Sequence, residues 1–101
     1  MTTNLTEKEF TRHLNTKFHI DLDGSGDLDL ELVEVAGHKG QPVHTGMERF
    51  SAFFQGPMQP RLPQRMYLFK HETMGEFEMF IVPVAGKEQG ILYEAVFNYY
   101  V

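Results

Sequence analysis

The sequence predicts a mainly β domain, an antiparallel six-stranded barrel or sandwich with one short N-terminal helix. Three observations carry this. Apolar and polar residues alternate at period two over long runs, as in half-buried strands. Gly, Pro and acidic clusters break these runs at hairpin spacing. The 101 residues include nine Phe and four Tyr but no Cys, so an aromatic core must replace disulfides. Burying one such side chain contributes roughly 1.5–3 kcal/mol. No internal repeat, low-complexity stretch or linker interrupts the chain, which reads as one domain over residues 1–101.

The helix is expected over residues 6–14. Thr6 caps it and Glu9, three residues on, completes a capping box; Leu5 and Phe10 form a hydrophobic staple. Phe10, His13 and Leu14 continue one face, placing the helix as a plug or lid on a sheet. From Lys17 the period becomes two. Phe18, Ile20 and Leu22 make a strand over 17–22, and Leu28, Leu30 and Leu32 another over 27–36, joined by Asp23-Gly24-Ser25-Gly26 as a hairpin. The parity slips at Leu32-Val33, which calls for a bulge. Residues 37–48 read as a long loop. A strand over 49–55 is apolar on both faces and is expected to be central. Pro57, Pro60 and Pro63 make the next segment a fixed connection that cannot be a central strand. Strands over 66–71, 76–84 and 92–99 complete a meander, with turns at 72–75 and 85–90. Phe54→Ala and Phe80→Ala are each expected to cost about 3–5 kcal/mol, as core residues.

The charge is acidic, with 14 acids against 9 bases and a net charge of −5. An acidic domain repels phosphate backbones, so nucleic acid is not expected as a partner. Nine of the acids lie in residues 1–50, many of them on the hairpin from Asp21 to Glu34. The length excludes folds such as the TIM barrel. No run approaches the ~20 apolar residues of a membrane helix, and Met1-Thr2-Thr3-Asn4 lacks the pattern of a signal peptide. A cytoplasmic protein, or part of an assembly exported without a signal peptide, is expected.

The sharpest motif is the run from Asp21 to Leu32. Asp21, Asp23, Ser25, Gly26 and Leu28 fit a calcium-binding EF-hand loop. Position 12 should be a bidentate Glu and is Leu32, with Glu31 one residue early, and the exiting segment alternates as a strand. The favoured reading is a hairpin turn with solvated acids; a weak calcium turn formed by Asp21, Asp23, Ser25 and Asp27 is its functional rival. His38 and His44 share one loop without a metal-specific spacing, and no thiolate assists them. Nothing resembles a nucleophile elbow, a phosphate-binding loop or a zincin helix. No catalytic residue, cofactor or metal is therefore expected.

The second half carries a further pattern: Phe50-Ser51-Ala52-Phe53-Phe54-Gln55-Gly56-Pro57, then Leu62-Pro63-Gln64, Tyr67, His71 and Gly75, then Phe80-Ile81-Val82-Pro83-Val84, then Tyr93-Glu94-Ala95-Val96-Phe97-Asn98. This resembles a family of small uncharacterised bacterial domains with the pattern FSLxFxGP…LxQxxYxxxHxxxGxxxLFxVPV…YEAVFN, over about residues 5–98 and most specifically over 50–98. The family brings no biochemical activity with it. Its members are often encoded beside proteins with phage-tail-collar domains, which implies a tail-like or surface-fibre accessory role. The Asp-Gly-Ser-Gly turn falls in a part that the family varies.

The functional expectation is a non-enzymatic structural or protein-interaction module, a small subunit or accessory of such an assembly. Its partner would be a protein, such as a tail-collar-like one, or a second copy of the chain. The contact surfaces would be the corner from Gly56 and Pro57 through Pro63 and the terminus at Tyr99, Tyr100 and Val101. The alternative is a small-ligand or carbohydrate-binding β-barrel with Gln64, Tyr67, His71 and Glu94 around a pocket. An enzyme of unrecognised type is the third reading.

Overall fold

The computed structural model describes residues 5–22, 26–37 and 47–100. Six strands form a closed antiparallel barrel in the order β1-β2-β3-β6-β5-β4. The elements are α1 (Glu7–Arg12), β1 (Lys17–Asp21), β2 (Asp27–Gly37), β3 (Met47–Gly56), β4 (Arg65–His71), β5 (Gly75–Lys87) and β6 (Gly90–Tyr100). Of the two architectures open from sequence, the barrel is the one found. Closure comes from β1 pairing with β4 at His19↔Lys70 and Ile20↔Phe69, a contact between residues about fifty positions apart.

Alternation decides what faces inward. Phe18 and Ile20 of β1, Leu30 and Leu32 of β2, Phe50, Ala52 and Phe54 of β3, Phe69 of β4, Ile81 of β5 and Tyr93 of β6 are all essentially inaccessible to solvent. The β2–β3 register shifts between Leu32 and Glu34, where the sequence parity slips. A second shift, between Pro83 and Ala85, lies in the β5–β6 ladder. Proline has no N–H to give a ladder and is tolerated at such bulges.

The helix stoppers one end of the barrel. Thr6 Oγ1 accepts the Glu9 N–H at 3.1 Å, capping the first turn. The Glu9 carboxylate reaches Arg12 at 3.6 Å and His13 at 3.4 Å. Phe10 is fully buried, and its ring lies within 6.5 Å of the rings of Phe18, Phe50, Phe54, Phe77 and Phe97. With these rings in the interior, the barrel is filled by side chains.

One core assignment is corrected. Phe80 is 48% exposed, because β5 turns Phe77, Met79 and Ile81 inward and Glu76, Glu78 and Phe80 outward. The run from Phe77 to Val84 is apolar at both parities, so the hydrophobic pattern alone does not choose a face. Phe54 is fully buried and keeps its expected cost of about 3–5 kcal/mol on truncation.

Candidate functional site

The positions singled out from sequence do not gather into one pocket. Gly56 is buried at the end of β3, and a Cβ there would meet Leu30 Cδ2. Pro57 and Gln64 are exposed. Tyr67 points inward, and its hydroxyl donates to the Pro63 carbonyl at 2.7 Å. The Tyr93 hydroxyl accepts the Leu62 N–H at 2.9 Å. These two phenols pin the Pro-rich corner to the barrel. Burial pushes the Tyr67 hydroxyl above its ordinary pKa; the Arg65 guanidinium, 4.8 Å from the ring centre, opposes this and Tyr93 adds to it. Beside the corner lies a surface cleft of about 360 Å³ lined by Leu22, Arg61, Leu62, Arg65 and Tyr67 among others. A smaller polar hollow of about 230 Å³ includes Lys17, Asp29, Glu31, Gln55 and Gln89.

His71 is a structural latch. Its Nδ1 accepts the N–H groups of Thr73 at 3.0 Å and Met74 at 3.1 Å. That leaves Nε2 protonated, donating to Thr16 Oγ1 at 3.0 Å, while Thr16 donates to the His13 carbonyl at 2.6 Å. The ring also lies 4.3 Å from that of Phe18 and 4.7 Å from that of His13. The β4–β5 turn is thereby tied to the segment between α1 and β1. Burial holds the His71 pKa below its ordinary 6.5, with help from the charge of His13 and against that of Glu72. The neutral ring is favoured in the native state, so its stabilising effect is complete above pH 6.5 and is lost as pH falls through the lowered native value. His71→Phe is expected to cost about 1–3 kcal/mol at pH 7.5, since the buried Met74 N–H and the part-buried Thr73 N–H lose their acceptor. That cost should shrink toward pH 5 in urea unfolding; a cost independent of pH would show that the latch is not the neutral ring.

His19 behaves oppositely. Its Nδ1 meets Asp29 at 2.9 Å and its Nε2 meets Asp27 at 3.2 Å, on an exposed face. The Asp29 hydrogen bond raises its pKa most, desolvation opposes this, and Asp27 adds to the rise. The two carboxylates occupy opposite ring nitrogens, so the three groups do not converge on one ion. Among the described residues, no group of three or more His, Cys, Asp or Glu side chains is placed to hold a metal. Asp23, Ser25, His38 and His44 lie outside the described residues. Asp21 and Asp27 are register partners at the hairpin end, and the exit from the turn is strand β2, where an EF-hand requires a helix.

Glu94 faces away from the interior. It accepts a hydrogen bond from Ser51 Oγ at 2.7 Å, and Ser51 is only 2% exposed despite its outward position on β3. The same wall carries the feature that sequence reasoning missed. Met66 on β4, Phe80 on β5 and Val96 on β6 are 51%, 48% and 59% exposed, with Val84 comparably exposed. Met66 and Phe80 are direct register partners. Val96 stands on the strand across the β5–β6 seam. A signal was present in the sequence: Glu76 and Glu78 share the parity of Phe80 and mark its face as the outer one. The backbone at Tyr99 and Tyr100 continues β6 alongside β3, with Glu48↔Tyr99 and Met47↔Tyr100 in register, while their side chains and Val101 lie outside the described residues.

Among the described residues, no helix is long and apolar enough to cross a membrane. No curated protein and no solved structure matches the chain. A family model does match it over residues 5–97, nearly the whole barrel with its plug, and the chain therefore belongs to the family described as a domain of unknown function, DUF6916.

Proposed function

We propose that the chain is a non-catalytic protein-interaction module, a small subunit or accessory of a bacterial tail-like or surface assembly. The observation that carries this reading is a set of exposed apolar side chains on the outer faces of three neighbouring strands, Met66 on β4, Phe80 and Val84 on β5 and Val96 on β6, over a packed aromatic and aliphatic core. Large apolar side chains grouped on one wall are what a protein contact covers. The tail-like setting rests on the resemblance of the 50–98 motifs to bacterial domains encoded beside tail-collar proteins.

The carbohydrate- or small-ligand alternative loses its natural site, since aromatic and aliphatic side chains fill the barrel. Among the described residues, the cleft of about 360 Å³ at the Pro-rich corner offers it a place.

Co-expression with a tail-collar-domain protein of the kind encoded beside the bacterial domains it resembles, followed by size exclusion with light scattering, tests the proposal. The two chains are expected to elute together. Phe80→Ser should abolish this while lowering stability by less than about 1.5 kcal/mol, as befits a largely surface position. A chain that stays monomeric and elutes alone would refute the interaction reading.

A further inference from the structure

The two strands that flank the apolar wall part company halfway down the barrel. β5 and β6 pair from Lys87↔Gly90 to Val82↔Glu94 and stop there. Yet β5 reaches back to Gly75 and β6 runs on to Tyr100. Below Val82, β5 pairs with β4, through to His71↔Gly75, and β6 pairs with β3, through to Met47↔Tyr100. The ladder ends just past the Pro83/Ala85 irregularity, and a bulge bends the strand that carries it. The seam opens toward the end stoppered by α1. Phe10 sits there with its ring 6.2 Å from Phe77 of β5 and 5.4 Å from Phe97 of β6.

In an antiparallel strand, alternate residues direct N–H and C=O away from a given neighbour. Over residues 75–81 these groups on β5 face the seam, where no β6 ladder meets them. Proteins commonly blunt such edges with Pro, Lys or a bulge. The segment Gly75-Glu76-Phe77-Glu78-Met79-Phe80-Ile81 contains neither Pro nor Lys, and its pairing with β4 runs without a shift. Its outer face bears Glu76, Glu78 and Phe80, all exposed. Across β4, Lys70 stands opposite Glu76, but Leu68 stands opposite Glu78, which therefore has no base in its register pair.

We infer that the Gly75–Ile81 edge of β5 takes an extended, basic segment of a partner protein as an added strand. Lys or Arg of that segment lies beside Glu76 and Glu78, and an apolar residue beside Phe80. Main-chain hydrogen bonds supply affinity in such complexes and alternate side chains supply specificity. A second copy of this chain is the poorer occupant, because it brings the same two glutamates and a net charge of −5 to the contact. The inference rests on the interaction reading and names the chemistry of its partner.

The test is amide exchange by NMR on the intact chain with two blocked synthetic hexapeptides, alternating Lys-Val and alternating Glu-Val. In the free chain, the seam-facing amides among residues 75–81 should exchange fast. The Lys-Val peptide at millimolar concentration should slow them at least about tenfold, and its N-methylated form should not. Glu78→Lys should reverse the preference toward the Glu-Val peptide. Amides already slow in the free chain would overturn the proposal, since the edge would then be covered by the chain itself. Amides that stay fast with both peptides would overturn it too. Slowing that needs no peptide, grows with protein concentration and accompanies a dimer in light scattering would assign the edge to a second copy instead. Should Phe80→Ser still abolish co-elution with the tail-collar protein while neither peptide slows exchange, the interaction reading stands and strand addition falls.

Discussion

Phe10→Ala is expected to lower the unfolding free energy by about 3–5 kcal/mol. The side chain is completely buried and touches the rings of five other phenylalanines at one end of the barrel. Truncation removes the transfer energy of a large aromatic and leaves a void that a ring of strands cannot easily close. The effect should exceed that of a lost contact, because the six-residue helix has little stability of its own. Without its anchor, α1 should detach from β2 and β3. Urea unfolding reads the loss directly, and far-ultraviolet circular dichroism should keep its β character. An unfolding midpoint within experimental error of the parent would show that the helix does not stopper the barrel in solution.

Gly90→Ala is expected to be comparably severe, about 2–6 kcal/mol. Gly90 has φ of 141°, a backbone conformation that side chains rarely permit, at a cost of roughly 1–3 kcal/mol. A Cβ there would collide with the Gly56 carbonyl oxygen. That neighbour is backbone, so the turn or the end of β3 must move, at roughly another 1–3 kcal/mol. Gly26 also has a positive φ, of 101°, but a Cβ there would meet nothing within 4 Å. Gly26→Ala is the control that isolates the backbone cost. Thermal unfolding of both variants separates the two contributions, and equal losses would show that the close approach at Gly56 carries no energy.

Local features were legible wherever a few neighbouring residues decide them. Thr6 caps the helix, Phe18 and Ile20 alternate inward, and the parity slip after Leu32 marks a register shift. Each is set by hydrogen bonding or side-chain period within one element. Phe80 was misread because Phe77, Met79 and Ile81 compete with Phe80, Val82 and Val84 for the core, and only the glutamates at 76 and 78 break the tie. His71 was legible as an interesting polar residue and not as a latch. Its partners Thr16 and His13 are more than fifty positions away, and sequence carries no spacing rule for such contacts. Glu94 was grouped with His71 for the same reason, although the barrel wall puts it outside with Ser51.

The sequence by itself determined the class of this protein: strands from period-two alternation, hairpins from glycine and acidic turns, and a disulfide-free core from thirteen Phe and Tyr residues. Those are near-neighbour properties, fixed by sterics and hydrophobic burial along a few residues. Only the tertiary structure decided that β1 meets β4 to close a barrel, that Phe10 stoppers one end, and that β5 and β6 separate below Val82. Closure depends on summed strand tilt and twist, and on which of two apolar faces finds the better-packed interior. The open edge follows from that closure, since backbone groups are left without a ladder only after every other strand has found its partner.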